Sequence, residues 1–449
     1  MSLENHEGFS NLSHRHEPED EHTHYHGVDK AEQHLSVRDA LRILLESISP
    51  TKPETVPVSQ CDSRIAYEDV HSPQDLPRFA RSTRDGYAVN ISADIENDTE
   101  YHAFKIVGEV KIGEAARIVV KAGQAARVAT GSYIPRGANA VLMIEYSNVE
   151  NKILRFAHPL RIGENILQPG EDLRTGDHLL SQGSRVHPQH VSLFSMLGIS
   201  KLRVFSKPRV AIFSTGDELR DLSSQFQRKS QGRSFQIFDS NRPFLAASLS
   251  ELGVEAVDLG IARDSYREIK SMLTRALKYD AIILSAGSSV GARDFTSKAL
   301  ESIPGIKTLV HGVAMRPSSP TGLASYGGKP VISLPGFPTS AIVSFFVFGR
   351  PAVLKLSGAS STEPILLQAT MKEEYAGKKG LTHFVRVHVT RKENEYSAEI
   401  ARPTEAQYSS WLRVANGIAV IGEDGSTVVK PGEVISFFPI AEIPEENAI

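Results

Sequence analysis

The chain has 449 residues, of which 40% are hydrophobic and 23% are charged, and its formal net charge is −3. This length predicts two to four domains, and the composition is typical of a soluble globular protein. The small net charge gives no general attraction to nucleic acid or anionic membranes, and a single cysteine, Cys61, excludes an intrachain disulfide and a cysteine-based zinc site.

Residues 1–34 are rich in His, Glu, Asp and Asn and poor in apolar side chains, so we expect a disordered tail. The tail lacks the apolar core of a secretory signal, and the apolar run at 341–348 is too short to span a bilayer, so we expect a cytoplasmic protein. Several tail histidines suit either a transition-metal site or a solvated segment, and the second is favoured because nothing nearby fixes a geometry. They are His14, His16, His22, His24 and His26.

Apolar residues recur at helical spacing after Ser36, which predicts a capped helix that ends before Pro50. A loop and a second helix at 189–197, closed by Gly198, lead us to group 35–60 with 163–206 as a helical linker domain. Between them, short β-type runs at 104–107, 117–120 and 140–144 predict a β domain over 61–162. Its polar segments 82–88 and 129–135 are either ordinary turns or parts of a site.

From 207 to 357 the pattern alternates between short apolar runs and helical periods. Strands are predicted at 209–213, 254–259, 281–284, 307–310 and 330–334. This rhythm indicates a doubly wound, mostly parallel α/β sheet with helices on both faces. Residues 358–449 return to a β pattern that predicts a small barrel or sandwich. The predicted fold class is therefore an α/β multidomain protein with two smaller β domains and a helical linker region.

The stretch 280–294 contains the most informative loop of the chain. An apolar strand is followed by small residues from Ser285 to Ser289, then Gly291, and we expect a helix to begin near Asp294. Such a loop lets backbone N–H groups approach an anion such as phosphate, and Asp294 could hold a metal ion that bridges it. An ordinary strand-to-helix turn is an equally good interpretation of the loop alone.

Acidic residues follow several of the predicted parallel strands, at Asp217, Glu218, Asp264 and Asp294. In such sheets ligands bind beyond the carboxyl ends of the strands. Carboxylates beside an anion-binding loop imply a bound Mg²⁺, because otherwise they would repel the anion. The residues alone thus indicate metal-assisted phosphoryl or nucleotidyl chemistry.

Many separate motifs across about 35–438 together resemble the molybdopterin molybdenumtransferase family, which includes MoeA and the E domain of gephyrin. They lie at 82–89, 130–135, 170–172, 213–219, 239–242, 260–264, 285–294 and 334–338. The resemblance implies a homodimer that inserts molybdate or tungstate into adenylylated molybdopterin with Mg²⁺-dependent release of AMP. It also implies a possible molybdopterin adenylyltransferase partner.

The same resemblance assigns roles to individual positions. The implied catalytic residues are Asp85, Asp172, Glu218, Asp264 and Asp294, and the implied metal ligands are Asp239 and Asp294. Arg316 is expected to hold the oxyanion, 287–291 the phosphate, and Pro335 with Pro338 the floor of the cleft. The implied substrate-binding residues are Thr130, Gly131, Ser214, Thr215, Gly216, Asn241, Gly287, Ser288, Ser289, Gly291, Arg316, Pro335, Pro338 and Arg386.

Three positions depart from the family pattern. Ala286 replaces a glycine, Ser319 a lysine and Phe337 an asparagine. Loss of the lysine should weaken the hold on an oxyanion by roughly 1 kcal/mol or more in a desolvated site. The departures are compatible with an ordinary insertase, a tungstate enzyme, or a paralogue that binds molybdopterin as a scaffold without catalysis. A nucleotide hydrolase would leave the two β domains unexplained.

Overall fold

The structure is a computed structural model that describes residues 34–92, 100–115, 117–222, 236–286, 290–422 and 427–446, without the side chains of 290–294. The chain divides into two compact units, residues 1–34 and 35–449, and all elements below belong to the second. The histidine-rich segment and its possible metal site lie outside the described residues. The predicted domain boundaries within 35–449 stay a prediction.

The first elements are short and begin with the predicted capped helix. Ser36 Oγ accepts a hydrogen bond from the backbone N–H of Asp39 at 3.1 Å, which confirms the helix start. The elements are α1 (Val37–Glu46), β1 (Pro53–Pro57), β2 (Val70–His71) and β3 (Arg81–Ser82), with a 3₁₀ turn at Val58–Gln60.

A six-stranded mixed sheet follows, as predicted for this region. Its strands are β4 (Gly86–Val89), β5 (His102–Val110), β6 (Gln124–Val128), β7 (Ala140–Met143), β8 (Asn148–Glu150) and β9 (Ile153–Phe156), in the order β7-β4-β6-β5-β9-β8. The strand predicted at 117–120 is wrong. Val119 makes only a single bridge to Arg136, because the backbone of the partner segment turns at Gly137, where φ is 92°.

The chain then returns to the linker elements. They are β10 (Ile166–Leu167), β11 (His178–Leu180), α2 (Pro188–Met196) and β12 (Lys201–Phe205). Three antiparallel ladders, β1 with β12, β2 with β11 and β3 with β10, tie this segment to the residues that precede the six-stranded sheet. The helix predicted at 189–197 is confirmed, and Gly198 ends it in the left-handed region, with φ at 74°.

The α/β region contains a second six-stranded sheet. Its elements are β13 (Arg209–Thr215), β14 (Leu219–Arg220), β15 (Ile237–Phe238), α3 (Asn241–Glu251), β16 (Glu255–Ala262), α4 (Tyr266–Ala276), β17 (Ala281–Ala286), α5 (Val290–Glu301), β18 (Ile306–His311), β19 (Met315–Arg316), β20 (Gly322–Tyr326), β21 (Lys329–Pro335), α6 (Pro338–Ser344) and α7 (Arg350–Leu356). The strand order is β16-β13-β17-β21-β20-β18. The first four strands are mutually parallel, and β20 runs antiparallel to both of its neighbours, β21 and β18.

Alternating side chains of the central strands fill two separate cores, one on each face of this sheet. Val210 and Ile212 of β13 pack in the core that also contains α3 and α6 residues. Ala211 and Phe213 pack in the core that contains α4 residues. Both faces are therefore covered, and the prediction of a doubly wound sheet is confirmed.

Two details of this region differ from the predictions. Helix α5 begins at Val290, so Asp294 lies one turn inside the helix instead of at the loop junction. The apolar run at 341–348 belongs to a continuous helix, Pro338–Leu356, with a π turn at Phe345–Gly349. Its 19 residues and mean hydropathy of 1.3 meet the criteria for a membrane span, yet 78% of that window is buried in the protein. Its apolar residues therefore serve the core.

The last region is a closed barrel, one of the two predicted alternatives. Its strands are β22 (Leu367–Met371), β23 (Tyr375–Ala376), β24 (Thr382–Lys392), β25 (Glu395–Ile400), β26 (Gly417–Ile421), β27 (Val428–Val429) and β28 (Val434–Pro439), with a 3₁₀ turn at Ser410–Arg413. The order is β24-β25-β22-β28-β26, and β26 pairs back onto β24 to close the barrel. Strand β19 of the α/β region pairs with β24.

Candidate functional site

The carboxyl ends of the four parallel strands lie along one edge of the α/β sheet. The register places Thr215 of β13 beside Ala262 of β16, and Ser285 of β17 beside Leu334 of β21. Ser214 and Thr215 are buried at this edge, and Gly216 follows directly. The sheet therefore brings together residues that the sequence predicts as substrate-binding.

Three carboxylates gather where β13 and β16 end. The Asp264 N–H donates to Asp217 Oδ1 at 3.4 Å. Burial, together with the charges of Glu218 and Asp217, raises the pKa of Asp264. Asp264 Oδ1 is buried and has no hydrogen-bond partner in the described part of the chain. A Cβ on Gly216 would lie 2.9 Å from Glu218 Oε2, so the lack of a side chain at Gly216 leaves room for the Glu218 carboxylate.

Asn241, at the start of α3, joins two of the strand ends. Its Nδ2 donates to Ser285 Oγ at 2.6 Å and to the Gly336 carbonyl at 2.8 Å. These bonds fix the start of α3 against the ends of β17 and β21. The predicted binding residue Asn241 therefore lies at the strand edge.

Asp239 is 4% exposed and has protein partners on both oxygens. Oδ1 accepts from the Asn241 N–H at 3.0 Å, and Oδ2 accepts from Arg242 Nε at 2.6 Å. Arg242 also donates to Asp258 at 2.6 and 2.7 Å and to Asp221 at 2.5 Å. Burial opposes the charge on Arg242, but the three carboxylates outweigh it and raise its pKa. The metal role of Asp239 stays a prediction, and in this structure its carboxylate positions Asn241.

Arg316 and Arg386 line one cavity of about 180 Å³ between the α/β region and the barrel. Arg386 is 4% exposed, donates to the Thr404 carbonyl, and has its pKa lowered by burial. The wall also contains Tyr375, His383 and Glu405, which no sequence motif indicates. Two guanidinium groups in one small cavity suit an oxyanion.

The cavity and the strand edge are connected through the start of α6. Ser318 Oγ, two residues after Arg316, donates to the Ser340 carbonyl at 2.8 Å. Thr339 Oγ1 donates to the Tyr408 carbonyl at 2.9 Å and accepts from Trp411 Nε1 at 2.7 Å. Pro335 ends β21 and Pro338 begins α6, so both predicted prolines lie in this connection.

The three departures also occupy this part of the fold. Ser319 Oγ donates to the Val313 carbonyl at 3.0 Å, within its own turn. Phe337 is 43% exposed immediately before α6, and Ala286 is buried at the end of β17.

Asp85 and Asp172 make their hydrogen bonds to residues that precede the α/β region. Asp85 Oδ1 accepts from the Thr130 N–H at 2.7 Å and from Thr130 Oγ1 at 3.0 Å. These bonds lower the pKa of Asp85. Asp172 is exposed, and its N–H donates to the Leu76 carbonyl at 3.1 Å. The two polar segments of the β region therefore meet, with Gly131 beside Thr130.

The remaining predicted residues belong to the anion-loop stretch. Gly287, Ser288 and Ser289 lie outside the described residues. Gly291 and Asp294 lie in α5, where the backbone alone is described. Among the residues that the structure does describe, no group of three or more His, Cys, Asp or Glu side chains is arranged to hold a metal ion.

Comparisons with known proteins cover nearly the whole described chain. Family models match at 35–198, described as MoeA N-terminal region (domain I and II), at 211–355, probable molybdopterin binding domain, and at 368–440, MoeA C-terminal region (domain IV). Molybdopterin molybdenumtransferase of Staphylococcus aureus (strain COL) is 29% identical over 359 residues, 79% of this chain and 84% of the relative. The molybdopterin biosynthesis MoeA protein of Pyrococcus horikoshii OT3 superposes with a TM-score of 0.75 at 27% identity, over 91% of this chain and 100% of that one.

Proposed function

This chain belongs to the MoeA family of molybdopterin molybdenumtransferases, and we propose that it inserts an oxyanion of molybdenum or tungsten into adenylylated molybdopterin with Mg²⁺-dependent release of AMP. Its place in molybdenum cofactor biosynthesis follows from that membership. The release of AMP, the use of Mg²⁺ and the choice of oxyanion go beyond family membership and are part of the proposal.

The arginine-lined cavity gives the strongest support for this function. Arg316 and Arg386, which come from different regions of the chain, line a single cavity, and Ser318, two residues after Arg316, is hydrogen-bonded to α6, the helix that follows strand β21. We infer that an anion held by the arginines and a cation held by the strand-edge carboxylates act on the same substrate. Oxyanion insertion coupled to phosphate release needs both kinds of group in one cleft.

The acids at the strand edge have the right chemistry for Mg²⁺. Mg²⁺ prefers oxygen ligands and is commonly bound through one or two carboxylates together with substrate phosphates and water. The buried, unpartnered Asp264 Oδ1 fits such a role, and Glu218 adds a second carboxylate. When bound, the cation would offset negative charge on the phosphate. We keep Asp294 and Asp239 as proposed ligands, although Asp239 would first have to release Arg242.

We assign the remaining predicted residues to the same cleft. We propose that Ser214, Thr215, Gly216, Asn241 and the loop 287–291 hold the pterin and its phosphates, and that Pro335 with Pro338 forms the floor. Thr130 and Gly131, with the acids Asp85 and Asp172, would act from the β region. A homodimer, a cytoplasmic location and an adenylyltransferase partner are proposed on the family resemblance.

A direct assay separates this function from its alternative. The protein is incubated with adenylylated molybdopterin and Mg²⁺, with molybdate and tungstate in parallel, and AMP is measured. We expect release with at least one oxyanion and loss of release with EDTA or in Asp294→Ala. Absence of release with both oxyanions contradicts the proposal.

The second candidate is a molybdopterin-binding scaffold without catalysis. It is favoured by Ser319, whose hydroxyl is bonded to the Val313 carbonyl and adds no charge to the cleft. This candidate predicts affinity for molybdopterin without AMP release, and any oxyanion-dependent release excludes it.

A further inference from the structure

A hydrogen-bonded pair, the half-buried Tyr375 and the buried His383, forms part of the wall of the arginine-lined cavity. The Tyr375 hydroxyl lies 2.8 Å from His383 Nδ1, and His383 is 1% exposed. His383 Nε2 lies 2.9 Å from the Lys378 carbonyl. Strand pairing places His383 beside Arg316, since these two residues are partners in the β19–β24 ladder.

The carbonyl fixes the direction of both hydrogen bonds. A carbonyl oxygen can only accept, so His383 Nε2 carries the hydrogen and donates to Lys378. In the neutral ring, Nδ1 is then the acceptor, and the Tyr375 hydroxyl must donate to it. The Tyr375 oxygen keeps its lone pairs for donors on the cavity side.

Arg316 and Arg386 line the same cavity as Tyr375. Burial raises the pKa of Tyr375, while the charges of Arg316 and Arg386 act in the opposite direction. Arg386 Nε is buried and has no hydrogen-bond partner among the described residues. Glu405 also lines the cavity and offsets part of the positive charge.

We propose that Tyr375, held in place by His383, is a positioning residue that aims the guanidinium N–H groups of Arg316 and Arg386 at one bound oxyanion. This inference rests on the proposed function. Two like charges on long side chains repel one another in a small cavity and would otherwise turn apart. When the anion binds, a neutral phenol oxygen in the same cavity wall can accept a hydrogen bond from either guanidinium group without adding the negative charge by which a carboxylate would compete with the anion.

Equilibrium binding of sodium molybdate to the full-length protein tests the inference without the pterin substrate. Tyr375→Phe removes one oxygen and keeps the ring, and we expect the molybdate Kd to rise roughly tenfold or more. His383→Leu should act in the same way. His383→Gln should keep most of the affinity, since its amide oxygen can accept from the hydroxyl.

Two controls make the outcomes distinct. Tyr396→Phe alters a tyrosine that packs on Phe437 in the same barrel, and it should leave the molybdate Kd unchanged. Arg316→Gln should abolish binding.

An unchanged Kd in Tyr375→Phe, with binding lost in Arg316→Gln, overturns the positioning role and leaves the proposed function standing. If the wild-type protein does not bind molybdate, the cavity is not an oxyanion site, and the positioning role of Tyr375 is contradicted as well. If Tyr375→Phe, His383→Leu and His383→Gln all raise the Kd and all lower the melting temperature to the same extent, the role of the pair is merely structural.

Discussion

The side chain of Arg242 is enclosed by three carboxylates that come from three parts of the α/β region. Asp239 is almost fully buried, whereas the Asp221 and Asp258 side chains are 45% and 51% exposed. The Arg242–Asp239 pair therefore lies in the least solvated part of the cluster. Because Asp239 also fixes the start of α3, this pair couples stability to the geometry of Asn241.

We predict that Arg242→Met lowers the free energy of unfolding by about 3 kcal/mol or more, because it leaves the Asp239 charge buried and unpaired. Urea denaturation at neutral pH measures the change. Arg42→Met is the matched control, since it breaks an exposed pair with Glu46 at 3.3 Å and should cost less than about 0.5 kcal/mol. Equal losses in the two variants would contradict the burial argument.

Asp264 gives a pH-dependent prediction. Its folded-state pKa is raised, so the folded protein binds this proton more tightly than the unfolded chain. The resulting penalty is absent below the usual Asp pKa of 3.8, grows as the pH rises through the raised pKa, and then stays constant. Asp264→Asn should therefore raise the melting temperature at pH 7, and the gain should shrink toward about pH 4.

Differential scanning fluorimetry at both pH values checks this sign. Asp62→Asn, at an exposed acid outside the cluster, is the control and should leave the melting temperature nearly unchanged at either pH. A lower melting temperature for Asp264→Asn at pH 7 would show that the carboxylate is stabilised in the folded state.

Single elements show which sequence signals determine local structure. The apolar run at 281–284 predicts β17 correctly because a strand covered on both faces has to be apolar on both. Strand β20 is missed because Gly322, Ala324 and Ser325 have low strand propensity, and its pairing with β18 and β21 decides its conformation. Asp-Gly at 85–86 reads as a turn, yet Gly86 begins β4.

Gly86 is required by the close approach of a neighbouring backbone. A Cβ at this position would lie 1.9 Å from the Leu142 carbonyl oxygen of the paired strand β7. We predict that Gly86→Ala lowers the free energy of unfolding by about 2–3 kcal/mol, since a paired backbone cannot easily move aside. Thermal unfolding followed by circular dichroism is the measurement.

The matched control is Gly322→Ala, also in a strand. Its Cβ would meet Ser333 Cβ at 3.4 Å, an ordinary contact, so we expect a change within about 0.5 kcal/mol. A Gly86→Ala protein as stable as Gly322→Ala would show that the β4–β7 pairing is looser than the structure has it.

The whole molecule assembles its candidate site by two different routes, and only one of them follows from local sequence patterns. Parallel strands always end at the same edge, so the grouping of Asp217, Glu218 and Asp264 follows from the strand pattern alone. The cavity of Arg316 and Arg386 depends on β19 pairing with β24 of the barrel. No local pattern marks that long-range pairing, so Tyr375 and His383 could not be found from the sequence.

The proposed function requires the acids of the strand edge and the arginines of the cavity to act on one bound substrate. AMP release from adenylylated molybdopterin, measured across a range of molybdate concentrations with saturating Mg²⁺, tests this most directly. We predict release by the wild type, a shift to higher molybdate in Arg316→Gln, and no release at any concentration in Asp264→Asn. Release by Asp264→Asn at the wild-type rate, or an unchanged molybdate dependence in Arg316→Gln, would contradict it.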